Sequence, residues 1–158
     1  MTEPLIYYHF EGKEALYTII VNSSFERFFS ILDSFEYETG KQFEKIEKLI
    51  SAHFQIVEEM PYETCCAINT CPAKLRDPDH VCGENVKNWR DRIKAYLSDC
   101  LTKGIESGEF VEVPVHETAI MLIAMLNGLI RQQIHKMDNF DGVKGSTVEF
   151  CRRSLKKH

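Results

Sequence analysis

Apolar residues recur every three or four positions along most of this 158-residue chain. This spacing puts them on one face of an α-helix, so it constrains the fold more than any other feature. No alternating pattern of apolar and polar residues predicts a strand or a hairpin. The sequence therefore predicts an all-α fold. Glycines, prolines and polar turns divide the pattern into helices over about 12–35, 43–57, 62–69, 89–105, 116–136 and 143–156.

The composition is that of a globular protein, with 44% hydrophobic and 27% charged residues. A chain of this length suits one domain with a sizeable core. No apolar run reaches the roughly 18 residues that a membrane-spanning helix needs, and the N-terminus lacks the pattern of a secretion signal. We therefore expect a cytoplasmic protein with no membrane partner. The net charge of −5 argues against a broad basic surface for nucleic acid, so any DNA contact must come from a small patch.

The segment from Leu5 to Lys13 reads Leu-Ile-Tyr-Tyr-His-Phe-Glu-Gly-Lys. Tyrosine hydroxyls, an imidazole and a lysine at the start of a helix are suited to binding DNA phosphates. The segment resembles the sequence that closes the helix-turn-helix of TetR-type transcriptional repressors. This resemblance implies that Tyr7, Tyr8, His9 and Lys13 contact the backbone of an operator. The alternative is that the aromatic side chains here are ordinary core residues.

The position of this segment sets an expectation about the DNA-binding head. In the TetR family two further helices precede the segment, whereas only four residues precede it here. We therefore expect residues 1–11 to be a remnant of the helix-turn-helix head and residues 12–158 to form a helical ligand-binding and dimerisation domain. The resemblance then implies that specific DNA binding is weak or absent, and that operator DNA is a partner only where the missing head is present.

The segment from Ala119 to Leu126 is apolar on nearly every side, so its helix should be enclosed all round. A subunit interface would supply that enclosure. Gly128, which costs about 1 kcal/mol in a helix relative to alanine, is tolerated where a second helix backbone approaches closely. The family resemblance implies a homodimer in which helices 116–136 and 143–156 pair with their symmetry mates. The alternative is that 116–136 is the central helix of a monomer.

The resemblance also implies a small-molecule effector that binds between the body helices and tilts the helix carrying the head. Its candidate contacts are inward-facing side chains, and their alternative role is plain core packing. The many aromatic residues (10 Phe, 6 Tyr and 1 Trp) favour an apolar or aromatic effector, whose identity the sequence leaves unknown. The candidates are Phe28, His53, Phe54, Val57, Trp89, Tyr96, Cys100, Ile123, Asn127, Ile130 and Arg131.

Four of the six cysteines lie close together in the sequence, at Cys65, Cys66, Cys71 and Cys82, and His80 is near them. Thiolate and imidazole are ligands of zinc, and thiolates also bind iron–sulfur clusters and monovalent copper. However, the Cys-x2-Cys pairs of structural zinc sites are missing, and two adjacent cysteines can hardly bind one ion together. Three alternatives remain: a bound metal or cluster, a thiol that senses oxidants, or ordinary cysteines. The family resemblance requires no cofactor.

These features together predict the effector-binding and dimerisation part of a TetR-like repressor. Its mechanism would be a shift of population between conformations that bind DNA and conformations that do not. The alternative is a naturally headless protein that acts alone as a sensor of a small molecule, a metal or oxidants, or that captures other proteins. An enzyme is not expected, because no Ser/His/Asp or paired-carboxylate arrangement occurs at a convincing spacing.

Overall fold

A computed structural model describes residues 13–36, 40–68 and 81–157. Within these ranges there is no β-strand, and one isolated antiparallel bridge joins Phe110 to Lys156. The predicted all-α fold is confirmed. The largest difference from the predicted helix bounds is a helix that begins at Val81, well before the predicted start at Trp89. The described helices are α1 (Lys13–Ser34), α2 (Gln42–Glu59), α3 (Pro61–Ile68), α4 (Val81–Glu106), α5 (Val115–Ile134) and α6 (Val143–Leu155).

Helix α2 lies at the centre of the fold, where it contacts each of the other five described helices. Its apolar residues are spaced by three or four and cover more than one side, so it is buried along much of its surface. The helices around it complete one continuous core. The buried residues of α2 are Phe43, Ile46, Leu49, Ile50, Ala52, His53, Phe54, Ile56 and Val57.

The start of α2 is capped by a side chain from a distant part of the sequence. Lys41, the residue before the helix, makes no capping hydrogen bond with its side chain. Instead the Glu109 carboxylate, between α4 and α5, accepts hydrogen bonds from the backbone N–H groups of Gln42 (2.8 Å) and Phe43 (3.1 Å). It satisfies two N–H groups that lack helical partners and lies at the positive end of the helix dipole. This contact holds the α4–α5 connection against α2.

The packing of Phe110 on Gly104 also holds the α4–α5 connection in place. A Cβ atom at Gly104 would lie 2.1 Å from a Phe110 ring carbon, so only glycine allows the ring to approach this closely. The backbone N–H of Phe110 donates to the Gly104 carbonyl at 2.9 Å. The chain can therefore reverse tightly after α4, and the Phe110 ring is buried at the turn.

Helix α5 is less enclosed within the single chain than its sequence predicts. Ala119 and Leu126 are buried, whereas Ile120 and Met121 are 47% and 70% exposed. A Cβ atom added at Gly128 would meet nothing within 4 Å in the described part of the chain. The residues that the structure describes thus leave an apolar face of α5 uncovered. Even so, no helix among the described residues is both long enough and apolar enough to cross a bilayer.

Candidate functional site

A cavity of about 390 Å³ lies between α1, α2, α3, α4 and α5. Most of its wall is apolar, because the inward stripes of these helices meet around it without filling it. Five of its side chains are polar or charged, and they divide into a buried group and a group at the mouth. The lining residues are Phe25, His53, Ala67, Ile68, Arg90, Asp91, Ile93, Lys94, Ile120, Ile123, Ala124 and Asn127.

His53 is the buried polar group of this cavity, with 4% of its surface exposed. Its Nδ1 atom lies 2.7 Å from the Leu49 carbonyl oxygen one helical turn earlier. Because a carbonyl oxygen only accepts hydrogen bonds, Nδ1 carries the proton, and Nε2 of the uncharged ring is an acceptor. Burial lowers the pKa of His53 from 6.5 to about 4, although the hydrogen bond to Leu49 opposes this change. The ring is therefore uncharged at neutral pH.

The imidazole is held in position by an aromatic neighbour as well as by its own helix. The Phe28 ring on α1 meets the His53 ring edge to face, with centroids 4.7 Å apart and planes at 73°. Phe28 is itself buried, so it leaves the imidazole little room to rotate. The hydrogen bond to Leu49 fixes the ring from the other side. The acceptor atom Nε2 thus has a defined place in the site.

The other polar groups come from α4 and α5. Asn127 contributes an amide from α5, while Arg90, Asp91 and Lys94 lie along one side of α4. Asp91 already pairs with Lys87 at 3.5 Å, and both partners are largely exposed. The mouth of the cavity carries two positive charges from α4, those of Arg90 and Lys94, and the negative charge of Asp91. Such a mouth repels a cation more than a neutral molecule.

Two walls of the cavity, α1 and α3, are joined by side-chain hydrogen bonds. The Tyr17 hydroxyl on α1 donates to the Cys66 carbonyl oxygen on α3 at 2.7 Å. About two helical turns further along α1, the hydroxyls of Ser24 and Thr64 lie 3.3 Å apart, and both residues are buried. A buried polar group is costly to leave without a partner, so these contacts resist separation of the two helices. Helices α1 and α3 should therefore move together.

Helix α1 is also joined to α4, through a stack of aromatic rings. The ring of Phe25, which lines the cavity, stacks on Trp89 with centroids 5.8 Å apart and planes at 9°. Trp89 stacks on Phe29 at 5.3 Å, and its indole N–H donates to the Asn22 side chain at 3.2 Å. A molecule that displaced Phe25 would press on this stack. The cavity is thus in direct contact with the residues that position α1.

Comparison with known protein families shows the family of the chain that contains this cavity. A family model described as tetracyclin repressor-like, C-terminal domain, matches residues 39–131, which is more than half of the chain. The chain belongs to the TetR family. The match includes α2, α3, α4 and most of α5, and therefore all of the cavity wall except the part contributed by α1.

Solved structures of TetR-family proteins share the fold. A protein described as a TetR-family transcriptional regulator from Rhodococcus sp. matches with a TM-score of 0.70 at 16% identity, over 96% of this chain and 80% of that one. A TetR-family regulatory protein from Rhodococcus RHA1 matches with a TM-score of 0.73 at 12% identity, over 100% and 82%. The reduced form of E. coli NemR matches with a TM-score of 0.60 at 16% identity, over 99% and 81%. No curated protein matches the sequence.

Five of the side chains predicted for the effector pocket of this TetR-family chain lie at the cavity or directly behind its wall. His53, Ile123 and Asn127 line it. Phe28 contacts His53, and Trp89 stacks on the lining residue Phe25. The structure therefore brings these five together around one space, while their contact with an effector stays a prediction.

The other six predicted pocket residues lie elsewhere in the fold. The Tyr96 hydroxyl donates to the Lys45 carbonyl oxygen at 3.4 Å, and Arg131 is exposed on α5. Four are buried in the core without lining the cavity, and burial raises the pKa of one of them, Cys100, to about 11. The periodicity of the sequence showed that these side chains face the interior of the protein. It did not show whether other side chains fill the space next to them. These four are Phe54, Val57, Cys100 and Ile130.

Most of the cavity wall was not predicted from the sequence. Phe25 and Ile93 lie in the apolar stripes of the predicted helices 12–35 and 89–105, so the periodic signal for them was present. Ala67 and Ile68 lie on the short helix α3, whose weak period carried no such signal. Only the packing of five helices together shows that these four residues border a space.

The predicted DNA contacts cannot be placed in this site. Tyr7, Tyr8 and His9 lie outside the described residues. Lys13 is the first residue of α1, but its side chain also lies outside the described part. Their contact with an operator backbone stays a prediction from the resemblance. In the sequence, this segment directly precedes the residues of α1, a wall of the cavity.

Most residues of the predicted cysteine cluster lie outside the part of the chain that the structure describes. Cys65 and Cys66 are adjacent, half-buried residues on α3, and burial, Cys65 and Glu63 together raise the pKa of the Cys66 thiol. Cys71 and His80 lie outside the described residues, as does the side chain of Cys82. Among the residues that are described, no group of three or more metal-ligating side chains occurs. A bound metal, a thiol that senses oxidants and ordinary cysteines stay alternatives, and a metal-to-protein ratio on freshly reduced protein would test the first.

Proposed function

We propose that this chain is the effector-binding and dimerisation part of a TetR-like transcriptional regulator that acts as a repressor. The observation that carries the proposal is the cavity lined by the buried, uncharged imidazole of His53 in a TetR-family domain. Mostly apolar cavities of this size with a few fixed polar groups are typical of small-molecule sites. The chain's proposed role is regulatory binding and not catalysis.

An effector in this cavity would act on α1. It would contact Phe25 on α1 and Ala67 and Ile68 on α3, and the hydrogen bonds of Tyr17 and Ser24 join these two helices. Because the segment predicted to contact DNA leads directly into α1, a change in the tilt of α1 would move that segment. The effector would then shift the population between two tilts by its difference in affinity for them.

The DNA-facing part of the proposal rests on the segment before α1. We propose that Tyr7, Tyr8, His9 and Lys13 contact operator phosphates when a complete helix-turn-helix head is present. Such contacts fix the register of a recognition helix and carry no sequence information themselves. They would also weaken with increasing salt, because phosphate contacts release counterions.

The dimer would form through the uncovered faces of α5 and α6. On α5, Met121 is 70% exposed and Ala124 and Gly128 are exposed at helical spacing, so a second helix could approach closely. On α6, Phe150 is 59% exposed, and a Cβ atom added at Gly145 would meet nothing within 4 Å in the described chain. Exposed apolar side chains next to small residues on two helices suit a helix-packed interface.

The effector site is tested by filling the cavity. Ile123→Trp places a large ring in the cavity wall, and Ile19→Trp, at a 52% exposed position on α1, is the matched control. A library of small apolar compounds is screened against the wild type by thermal unfolding. At about 100 times its dissociation constant, a ligand contributes about 2.7 kcal/mol, which is roughly 5–10 °C in Tm for a domain of this size.

The expected result is one or more compounds that raise the Tm of the wild type and of Ile19→Trp but leave the Tm of Ile123→Trp unchanged. Compounds that raise the Tm of all three proteins equally would bind outside the cavity. If every stabilising compound behaved in that way, the proposed effector site would be wrong.

A further inference from the structure

The buried part of the cavity offers a hydrogen-bond acceptor whose partner is missing from the described chain. His53 Nδ1 is committed to the Leu49 carbonyl at 2.7 Å. That is the one hydrogen bond that the described residues make with the imidazole, which is 4% exposed and lines the cavity. Polar groups in such surroundings are almost always paired, with protein, water or ligand. Nε2 is therefore the imidazole atom that can accept a hydrogen bond from water or from another occupant of the cavity.

The chemistry around this acceptor narrows the class of occupant. Because the pKa of His53 is lowered to about 4, the ring is a neutral acceptor at physiological pH and offers nothing to an anion at the buried end. Arg90, Asp91 and Lys94 together give the mouth one net positive charge, which disfavours a cation. An uncharged molecule with one donor group satisfies both conditions.

The wall next to the imidazole favours an aromatic body for that molecule. Phe25 lines the cavity, and Phe28 holds the imidazole from behind. Ala67, Ile68 and Ile123 complete an apolar surface, and none of the lining residues is a buried charge. An aromatic ring gains both from the apolar burial and from edge or face contact with Phe25.

We propose that the effector is an uncharged aromatic molecule of the phenol class, whose hydroxyl donates a hydrogen bond to Nε2 of His53. This inference rests on the proposed function, since it names the chemistry of the same effector site. A phenolic hydroxyl combines the required donor with the required ring, and its ordinary pKa near 10 keeps it protonated at neutral pH.

The test compares two probes that differ at one oxygen, which carries a hydrogen in the first and a methyl group in the second. The affinities of 4-propylphenol and of its methyl ether, 4-propylanisole, are measured by titration calorimetry on the full chain at neutral pH. The ether keeps the ring and the alkyl group but can only accept a hydrogen bond. Because it leaves the buried acceptor unpaired, we expect it to bind about tenfold more weakly or worse.

Two variants test whether His53 is the acceptor. His53→Phe keeps a ring of similar shape and removes the acceptor. His53→Asn keeps a side chain that can donate to the Leu49 carbonyl, but this side chain is too short to reach the position of Nε2. Both should lose the preference for the phenol, so that the two probes bind with affinities within about twofold of each other. The matched control is His116→Asn, at an exposed position on α5, which should keep the wild-type preference.

Three results would overturn the inference. Equal affinity of the wild type for phenol and ether would remove the donor contact but leave the cavity as an effector site. A preference that survives in both folded His53 variants would place the hydroxyl elsewhere. If neither probe binds while the Ile123→Trp screen identifies other compounds, the phenol class is wrong and the proposed function stands.

Discussion

At the level of single side chains, His53 is a polar residue that is buried in the core and lines the cavity. It lies between Ala52 and Phe54 on α2, and all three residues are buried. The hydrogen bond from Nδ1 to Leu49 fixes the tautomer, and the Phe28 ring fixes the orientation. Desolvation keeps the ring uncharged. The two contacts and the desolvation together leave one lone pair, on Nε2, in a defined place.

The buried imidazole predicts a specific loss of stability in mild acid. The pKa of His53 is about 4 in the folded state, below the 6.5 of an exposed imidazole, so the unfolded state binds the proton more readily. The stability is therefore complete above pH 6.5 and falls as the pH decreases from 6.5 to 4. The slope is about 1.4 kcal/mol per pH unit, or about 2 kcal/mol between pH 6.5 and 5.

Urea unfolding at pH 7.5 and pH 5 measures this loss. Wild type and the surface variant His116→Asn should both lose the additional 2 kcal/mol or so, whereas His53→Phe, which has no group to protonate there, should not. An equal loss in all three proteins would mean that His53 does not titrate in this range and that other groups cause the acid sensitivity.

At the level of helices, the fold depends on a contact between the start of α2 and the α4–α5 connection. The Glu109 carboxylate accepts from the N–H groups of both Gln42 and Phe43. Because α2 contacts all the other described helices, the position of its first turn affects the whole core. The packing of Phe110 on Gly104 holds the same connection in place.

Removing this cap should destabilise the protein measurably. A capping side chain contributes about 0.5–2 kcal/mol, and a carboxylate at a helix N-terminus adds a favourable dipole interaction. We expect Glu109→Ala to lower the Tm by about 2–6 °C, as measured by calorimetry. Glu112→Ala, at an exposed position on the same connection, should change it by less than about 1 °C. Equal Tm values for the two variants would contradict the role of Glu109.

The helices themselves could be predicted from the sequence, because apolar spacing reports directly on local structure. The cap could not, since Glu109 lies 67 residues from Gln42 and nothing local indicates their contact. The cavity was predictable only in part. Periodicity places His53, Phe54 and Val57 together on the buried side of α2, but it cannot show that His53 borders a space while its two neighbours are fully packed.

At the level of the whole molecule, the uncovered apolar faces of α5 and α6 are the main feature that a single chain leaves unexplained. Burying an apolar side chain of this size contributes roughly 1.5–3 kcal/mol. Leaving Met121 and Phe150 exposed forgoes that contribution. Pairing of each helix with its copy in a second chain would recover it, and a two-fold axis would bring like residues near each other.

The proposed dimer is tested by adding charge to these faces. Met121→Lys with Phe150→Lys should reduce the mass in solution from twice 18.3 kDa to 18.3 kDa, as measured by light scattering after size-exclusion chromatography. Ile19→Lys with Tyr62→Lys adds the same charge at exposed apolar positions on α1 and α3, and it should leave the mass unchanged. A wild type of 18.3 kDa, or a double α5/α6 variant that stays dimeric, would contradict the proposed interface.

In the proposed mechanism, a ligand in the cavity acts on α1. The most direct measurement is hydrogen–deuterium exchange of the wild type with and without the compound that gives the largest rise in Tm, using Ile123→Trp as the blocked control. We predict slower exchange in α1 and α3 of the wild type, little change in α6, and no change in the blocked variant. Slower exchange confined to α4 and α5, with α1 unaffected, would contradict the account.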